Sequence, residues 1–233
     1  MKCWAEKLGD CDGKCSREHY INQGVFDNNI ITVFGMDWCK EPKDIGLAKA
    51  VSKILCEKHN SSLSDFDAEA TKLSKFLLQQ LRDNPNDSSN IHLNGKHLER
   101  WALKTAINLS QLGVFGKNIN IPSIEHLNYL YRNDDIPHGM GLYLISGELD
   151  TRLAKAGVLW LDIRNTITSE LVAVKLTLNG VQFLVCLVAE RADQKNYSDG
   201  IHSSKNLSYR PNRFSIEGKI NSQKKSTITF GWY

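Results

Sequence analysis

Residues 9–22, "GDCDGKCSREHYIN", place two cysteines four apart and then a Glu-His pair. Thiolate and imidazole are the donors zinc prefers. Four of them usually form a tetrahedron, drawn from two close pairs far apart in sequence. The chain has six cysteines: Cys3, Cys11, Cys15, Cys39, Cys56 and Cys186. Five of them fall in the first 56 residues. In a cytosolic chain such crowding points to metal rather than to disulfides. "LCEKHN" supplies one pair, Cys56-x2-His59, whose two-residue gap lets both side chains reach one ion. The other pair is open: Cys3 with Cys11, or Cys11 with Cys15, with Cys39 as a spare. Cys186 sits among Val, Leu and Phe and reads as a small core residue.

The elements that must position these residues change texture along the chain. Residues 1–62 are rich in Cys, Gly and Asn and weakly periodic. A unit of that size buries little surface and needs a staple, for which metal is the natural choice. From residue 63 the period becomes helical. "LSDFDAEATKLSKFLLQQL" has Ser64 as an N-cap with Asp67 three residues on, and Phe66, Ala70, Leu73, Leu77 and Leu81 fall on one face. "DNPNDSSN" (83–90) breaks it. In "KHLERWALKTAINLSQL" the stripe is Leu98, Trp101, Ala102, Thr105, Leu109 and Leu112, with Gly113 as the stop. "IPSIEHLNYLYRN" is a shorter helix with Pro122 near its start. Residues 140–233 turn to short β-branched and aromatic runs. Asn-Gly within "LNGV" (178–181) marks a two-residue hairpin. The polar stretch 190–206 is a long loop. The fold class expected is α+β: a zinc-stabilised ββα unit over 1–67, a helical region over 68–135 and an antiparallel β-rich region over 136–233.

The order Cys, Cys, Glu-His, Cys-x2-His-Asn resembles the HNH endonuclease superfamily in its zinc-stapled, treble-clef form of the ββα-metal fold. The matching residues are "CSREHYI" and "ILCEKHN", most specifically Ser16 to His19 and Leu55 to Asn60, and the likeness covers roughly residues 1–67. The resemblance implies structural zinc on Cys3, Cys11, Cys56 and His59. Cys15 sits where similar sequences carry Leu or Ile. It implies a catalytic magnesium or manganese ion with Glu18 and Asn60 as oxygen ligands and His19 as general base, hydrolysing phosphodiester bonds in DNA or RNA. Two features depart from the family pattern. The stretch "IGLAKAVSKILC" (45–56) lacks the middle Asn that orients the histidine, Ser52 being the nearest polar substitute, with Asn22, Asn28 and Asn29 elsewhere. No Pro follows the histidine.

Bulk composition narrows the classes. Hydrophobic content of 41% and charge of 24% are those of an ordinary globular chain. No apolar run is long enough for a bilayer span, and the N-terminus lacks the apolar core of a signal peptide, so a cytoplasmic protein with no membrane partner is expected. Net charge is +3, too small to imply nucleic acid by itself; the 191–233 tail, with 8 basic and 3 acidic residues, is the one clearly basic part. Its aromatics, Tyr209, Phe214, Phe230, Trp232 and Tyr233, alternate with Arg210, Arg213, Lys224 and Lys225, a mix that suits nucleic acid or a half-buried sheet. His92 and His97 read as solvated, His126 as a surface or packed residue, His138 and His202 as loop residues and Trp101 as core. Two functions follow. One is an HNH-type nuclease. The other is a non-catalytic zinc-binding adaptor or inhibitor acting through protein or nucleic acid, for example in a phage–host conflict.

Overall fold

The computed structural model describes residues 2–35, 38–81, 89–116, 119, 121–145, 157–189, 207–217 and 225–233. The elements in chain order are β1 (Cys15–His19), β2 (Ile30–Val33), β3 (Lys43–Gly46), β4 (Val51–Cys56), α1 (Glu57–Ser61), α2 (Ser64–Leu81), β5 (Asn90–Asn94), α3 (Gly95–Gln111) and α4 (Ile124–Tyr131). There follow β6 (Gly141–Ile145), β7 (Val158–Arg164), β8 (Leu171–Leu178), β9 (Val181–Cys186), β10 (Leu207–Tyr209), β11 (Arg213–Glu217) and β12 (Lys225–Gly231). The class is mixed α+β. No helix among the described residues is long and apolar enough to cross a membrane.

The helical stripes land inside. Phe66, Ala70, Leu73 and Leu77 of α2 are buried, as are Leu98, Trp101, Ala102, Thr105 and Leu109 of α3. Asn94 caps α3 by accepting from the His97 N–H. At the other end Gly113 takes φ +75, and its N–H reaches the Ser110 carbonyl while the Val114 N–H reaches Leu109. That pairing satisfies the orphan carbonyls of the last turn and needs a residue free of a Cβ at the left-handed position. Ser123 caps α4, and His126 answers it by accepting from the Ser123 N–H. The imidazole is buried, and its Nε2 donates to the Leu187 carbonyl at 2.9 Å. Asn179 (φ +46) and Gly180 (φ +90) form the expected two-residue turn between β8 and β9. The Asn179 amide donates to Ser74 Oγ at 2.7 Å, which ties this turn to α2.

The sheets differ from expectation in two ways. Five strands run β10-β6-β9-β8-β7, all antiparallel, but a second sheet, β11-β12-β5, contains a parallel pair, β12 with β5. The strand β5 lies inside the stretch expected to be helical. It alternates polar and apolar but is only five residues long, and its pairing with Thr227–Gly231 is a long-range choice that local sequence does not encode. Of the tail aromatics, Phe214 stacks on Phe230 on this second sheet with centroids 5.9 Å apart and Trp232 donates to the Pro211 carbonyl, while Tyr209 lies on β10 of the five-stranded sheet beside Tyr143. Lys224, His202 and the loop 190–206 lie outside the described residues.

One apolar core joins these parts. It runs from Trp4, Ile54 and Leu55 through Leu73, Trp101 and Ile107 to Leu176, Phe183 and Phe230. α3 is its axis, and it is buried nearly all round, charged residues included. Glu99 is fully enclosed, yet its carboxylate accepts from the Leu142 N–H at 2.8 Å, from both Nε and Nη2 of Arg210, and from the Tyr129 hydroxyl. The Arg100 guanidinium lies over the rings of Phe66 and Tyr129. Buried charges persist only where such partners replace water.

Candidate metal centre

β4 ends at Cys56, which is also the N-cap of α1, so Cys56 and His59 project from the first turn of a helix toward one point. Cys3 arrives on an N-terminal segment hooked to the body twice. The Trp4 N–H donates to the Ile54 carbonyl, and its indole Nε1 donates to Asn108 of α3 at 3.1 Å. Cys11 arrives on a loop wrapped around the start of α1. Within it the Lys14 carbonyl accepts from the Glu57 N–H, and the Asp12 carboxylate accepts from the Lys58 N–H at 2.8 Å. These contacts satisfy donors that a helix start leaves orphaned, and the helix N–H holds the Asp12 carboxyl below the usual range.

The ligand atoms of Cys3, Cys11, Cys56 and His59 all lie within 4.8 Å of one another. His59 Nδ1 is 3.6 Å from the Cys3 and Cys11 sulfurs and 3.1 Å from that of Cys56. A tetrahedral ion with metal–sulfur and metal–nitrogen bonds of about 2.3 and about 2.0 Å requires sulfur–nitrogen separations of about 3.6 Å. The donors are thus spaced for one ion. Burial pushes the Cys11 thiol up to about 12, and the neighbouring Cys3 and Cys56 sulfurs push the same way. Burial also raises Cys3. Three crowded thiols ionise together only beside a cation, which is the proton release that accompanies metal binding.

The imidazole is oriented from behind. His59 is buried, its Nε2 lies 3.0 Å from Asp10 Oδ1, and its ring meets Tyr131 edge-on with centroids 4.8 Å apart. Asp10 is itself gripped by Lys58, which holds its carboxyl below the usual range. A carboxylate behind a ligating histidine fixes the tautomer that leaves Nδ1 for metal. Asp10 was not among the residues expected here; its signal in the sequence is its place one residue before Cys11. Of the other cysteines, Cys15 lies on β1 opposite Cys56 and outside the four-ligand group, and Cys39 donates to the Val33 and Glu41 carbonyls elsewhere.

Glu18 and His19 lie on β1, which pairs antiparallel with β4 and carries a bulge between Ser16 and Glu18. Glu18 turns inward and is 5% exposed. Its Oε1 meets the Lys104 ammonium at 2.7 Å and accepts from the Asn108 amide at 3.3 Å. Lys104, 2% exposed, reaches Asp67 Oδ2 at 2.7 Å on its other side. Burial raises the Glu18 carboxyl even so, with the Lys104 charge pulling the other way. His19 is half-buried. Burial lowers its pKa, Lys104 adds to that, and its Nε2 has no hydrogen-bond partner among the described residues. The Asn60 amide donates to Ser16 Oγ at 3.0 Å. Among the described residues, none of Glu18, His19 and Asn60 hydrogen-bonds another. Lys104 and Asn108, which decide what Glu18 faces, lie one turn apart on α3 beside its apolar stripe; being polar, they read as solvent-facing in sequence. Arg210 of the basic tail is committed to Glu99.

No protein-family model, curated protein or solved structure matches this chain. The likeness of residues 1–67 to HNH nucleases therefore rests on the motif residues alone.

Proposed function

We propose that the chain is a zinc-stapled binding protein, built on a treble-clef unit that resembles an HNH nuclease and no longer cleaves. Zinc suits the donor set: three soft thiolates and one imidazole make a closed, four-coordinate site with no open position for substrate, the mark of a structural ion. Cys3 and Cys11 would hold it from the N-terminal loop, Cys56 and His59 from the strand-to-helix junction. In this reading zinc holds the N-terminal loop to the β4–α1 junction, and the chain acts as an adaptor or inhibitor through a protein or nucleic-acid partner.

The observation that carries the reading is Glu18. A magnesium or manganese ion needs hard oxygen ligands in open coordination. Glu18 instead faces an ammonium and an amide in the interior. One observation favours the nuclease as a second reading: burial lowers the His19 pKa toward the neutral form a general base requires, and among the described residues its enclosed Nε2 has no hydrogen-bond partner. One experiment separates them. The purified chain is assayed for bound zinc, then incubated with DNA and with RNA in magnesium and in manganese, beside His19→Ala. One zinc per chain with no cleavage above the His19→Ala background supports the binding protein. Cleavage that His19→Ala abolishes supports the nuclease instead.

A further inference from the structure

The β2–β3 arm carries an unclaimed edge. Its two strands form a sheet of their own, and among the described residues β2 pairs with β3 alone. The inner face is anchored: Val33 and Cys39 are buried, with Ile31, Ile45, Tyr20, Val114 and Trp160 packed around them. The outer face is apolar and open. Ile30 is 64% exposed and Phe34 51%. Isolated two-stranded ribbons are marginal, and an apolar strand with a free edge is a template for another strand.

The hydrogen-bond parity of the arm says which groups are free. The Leu47 N–H donates to the Asn29 carbonyl at 2.7 Å, which continues the β2–β3 ladder and makes 29 with 47 a bonded pair. Bonded and non-bonded pairs alternate in an antiparallel ladder, so Ile31 with Ile45 and Val33 with Lys43 are bonded. Thr32 and Asp44 form a non-bonded pair, in which side chains lie closer, and Thr32 Oγ1 does donate to Asp44 Oδ1 at 2.7 Å. The N–H and C=O groups of Ile30, Thr32 and Phe34 therefore point away from β3. No described residue bonds them. The same three residues are the exposed ones, since side chains alternate along a strand.

We propose that this edge pairs with a second copy of the chain, β2 against β2, antiparallel and centred on Thr32. A two-fold axis at Thr32 sets Thr32 opposite its own copy and Ile30 opposite Phe34 on either side. Every outward N–H then meets an outward C=O, and two aliphatic–aromatic pairs close over the outer face. The stretch from Asn29 to Phe34 carries no charge, so the symmetric register sets no like charges opposite each other and offers a charged peptide no counter-charge. The area sets the strength. An enclosed aromatic buries about 150–250 Å², so side chains exposed by half or more offer on the order of 200 Å² per copy from Ile30 and Phe34. Doubled, with the paired main chain added, this falls in the weak class below about 1,200 Å². The dimer is accordingly weak and reversible, populated at high protein concentration. The inference is independent of whether the chain cleaves nucleic acid.

Sedimentation velocity of the full, metal-loaded chain tests it. The expected mass rises from 26.3 kDa toward twice that value as concentration increases. Thr32→Pro removes one outward N–H and no β2–β3 main-chain bond, only the Thr32–Asp44 side-chain bond, and Phe34→Lys places a charge on the outer face; each keeps the chain monomeric with unchanged circular dichroism. Bonded antiparallel pairs have Cα atoms about 5.5 Å apart, within disulfide reach, so oxidised Thr32→Cys cross-links to its own copy whereas Ile30→Cys does not. Mass mapping of the cross-linked peptide separates that bond from those of the native cysteines. A single 26.3 kDa species up to about 1 mM overturns the proposal. So does a dimer that both Thr32→Pro and Phe34→Lys leave intact, or one in which Thr32→Cys gives no cross-link.

Discussion

Replacing Lys104 by methionine keeps the volume of the side chain and removes its charge. The ammonium sits 2.7 Å from Glu18 and 2.7 Å from Asp67, at 2% exposure. Without it Glu18 keeps one amide donor, Asn108, in a site that is 5% exposed. Breaking a buried ion pair from one side costs about 3–5 kcal/mol, because the remaining charge is stranded. The Asp67 half adds less than the Glu18 half, its side chain being 27% exposed against 7% for Glu18. A loss of about 3–4 kcal/mol at pH 7 is expected, measured by urea unfolding followed by Trp fluorescence with zinc held constant. The loss depends on pH in a definite sense. Burial already raises the Glu18 carboxyl above its ordinary value, and losing Lys104 raises it further. The folded state then binds more protons than the unfolded state between the ordinary carboxylate value and the raised one, so stability falls as pH rises through that window. The deficit of Lys104→Met is therefore smaller near pH 4.5 than at pH 7. Adding Glu18→Gln removes the stranded charge and recovers most of the loss, an interaction energy of about 2 kcal/mol or more. A single-variant loss under about 1 kcal/mol, a deficit independent of pH, or a double variant no better than the single would refute this account of β1.

Three further outcomes follow from the same geometry. Asp10→Ala removes the carboxylate behind His59 and weakens metal affinity about 10- to 100-fold, read by competition with a chromophoric chelator. Cys15→Ser leaves the metal stoichiometry at its wild-type value, whereas Cys56→Ser abolishes binding and loosens the N-terminal 67 residues to proteolysis. His126 is held neutral, accepting at Nδ1 from the Ser123 N–H and donating from Nε2 to Leu187, and burial lowers its pKa. A lowered histidine binds fewer protons folded than unfolded, so its contribution is complete above about pH 6.5 and is lost as pH falls through the folded value. His126→Gln should flatten the acid limb of stability measured between pH 7 and pH 5, and an unchanged slope would count against that role.

What could be seen in the sequence was set by how local its cause is. The α2 and α3 stripes, the Gly113 stop and the Asn179-Gly180 turn each depend on residues within one or two turns of chain, and each stands where local chemistry puts it. The ligands were half legible. Cys56 and His59 share one helical turn, so their spacing is a direct statement about geometry. Cys3 is positioned by Trp4 bonding to Ile54 and Asn108, contacts that span more than 45 residues and leave no spacing to read. The parallel pairing of β12 with β5 is hidden for the same reason.

The buried charges are hidden for a different one. A periodicity argument treats every Glu, Lys, Arg and Asn as a vote for solvent. On α3 that rule fails four times over, at Glu99, Arg100, Lys104 and Asn108, because each finds a partner from a distant element. Those partners are what fix the helix in register against β1, β6 and the Arg210 segment, since an apolar stripe can slide while a buried carboxylate with three donors cannot. The same fact changes how Glu18-His19 reads. As a dipeptide it resembles half of a catalytic site. Beside Lys104 and Asn108, Glu18 is an anchor for the central helix, and the strand that carries it is held in place by that ammonium.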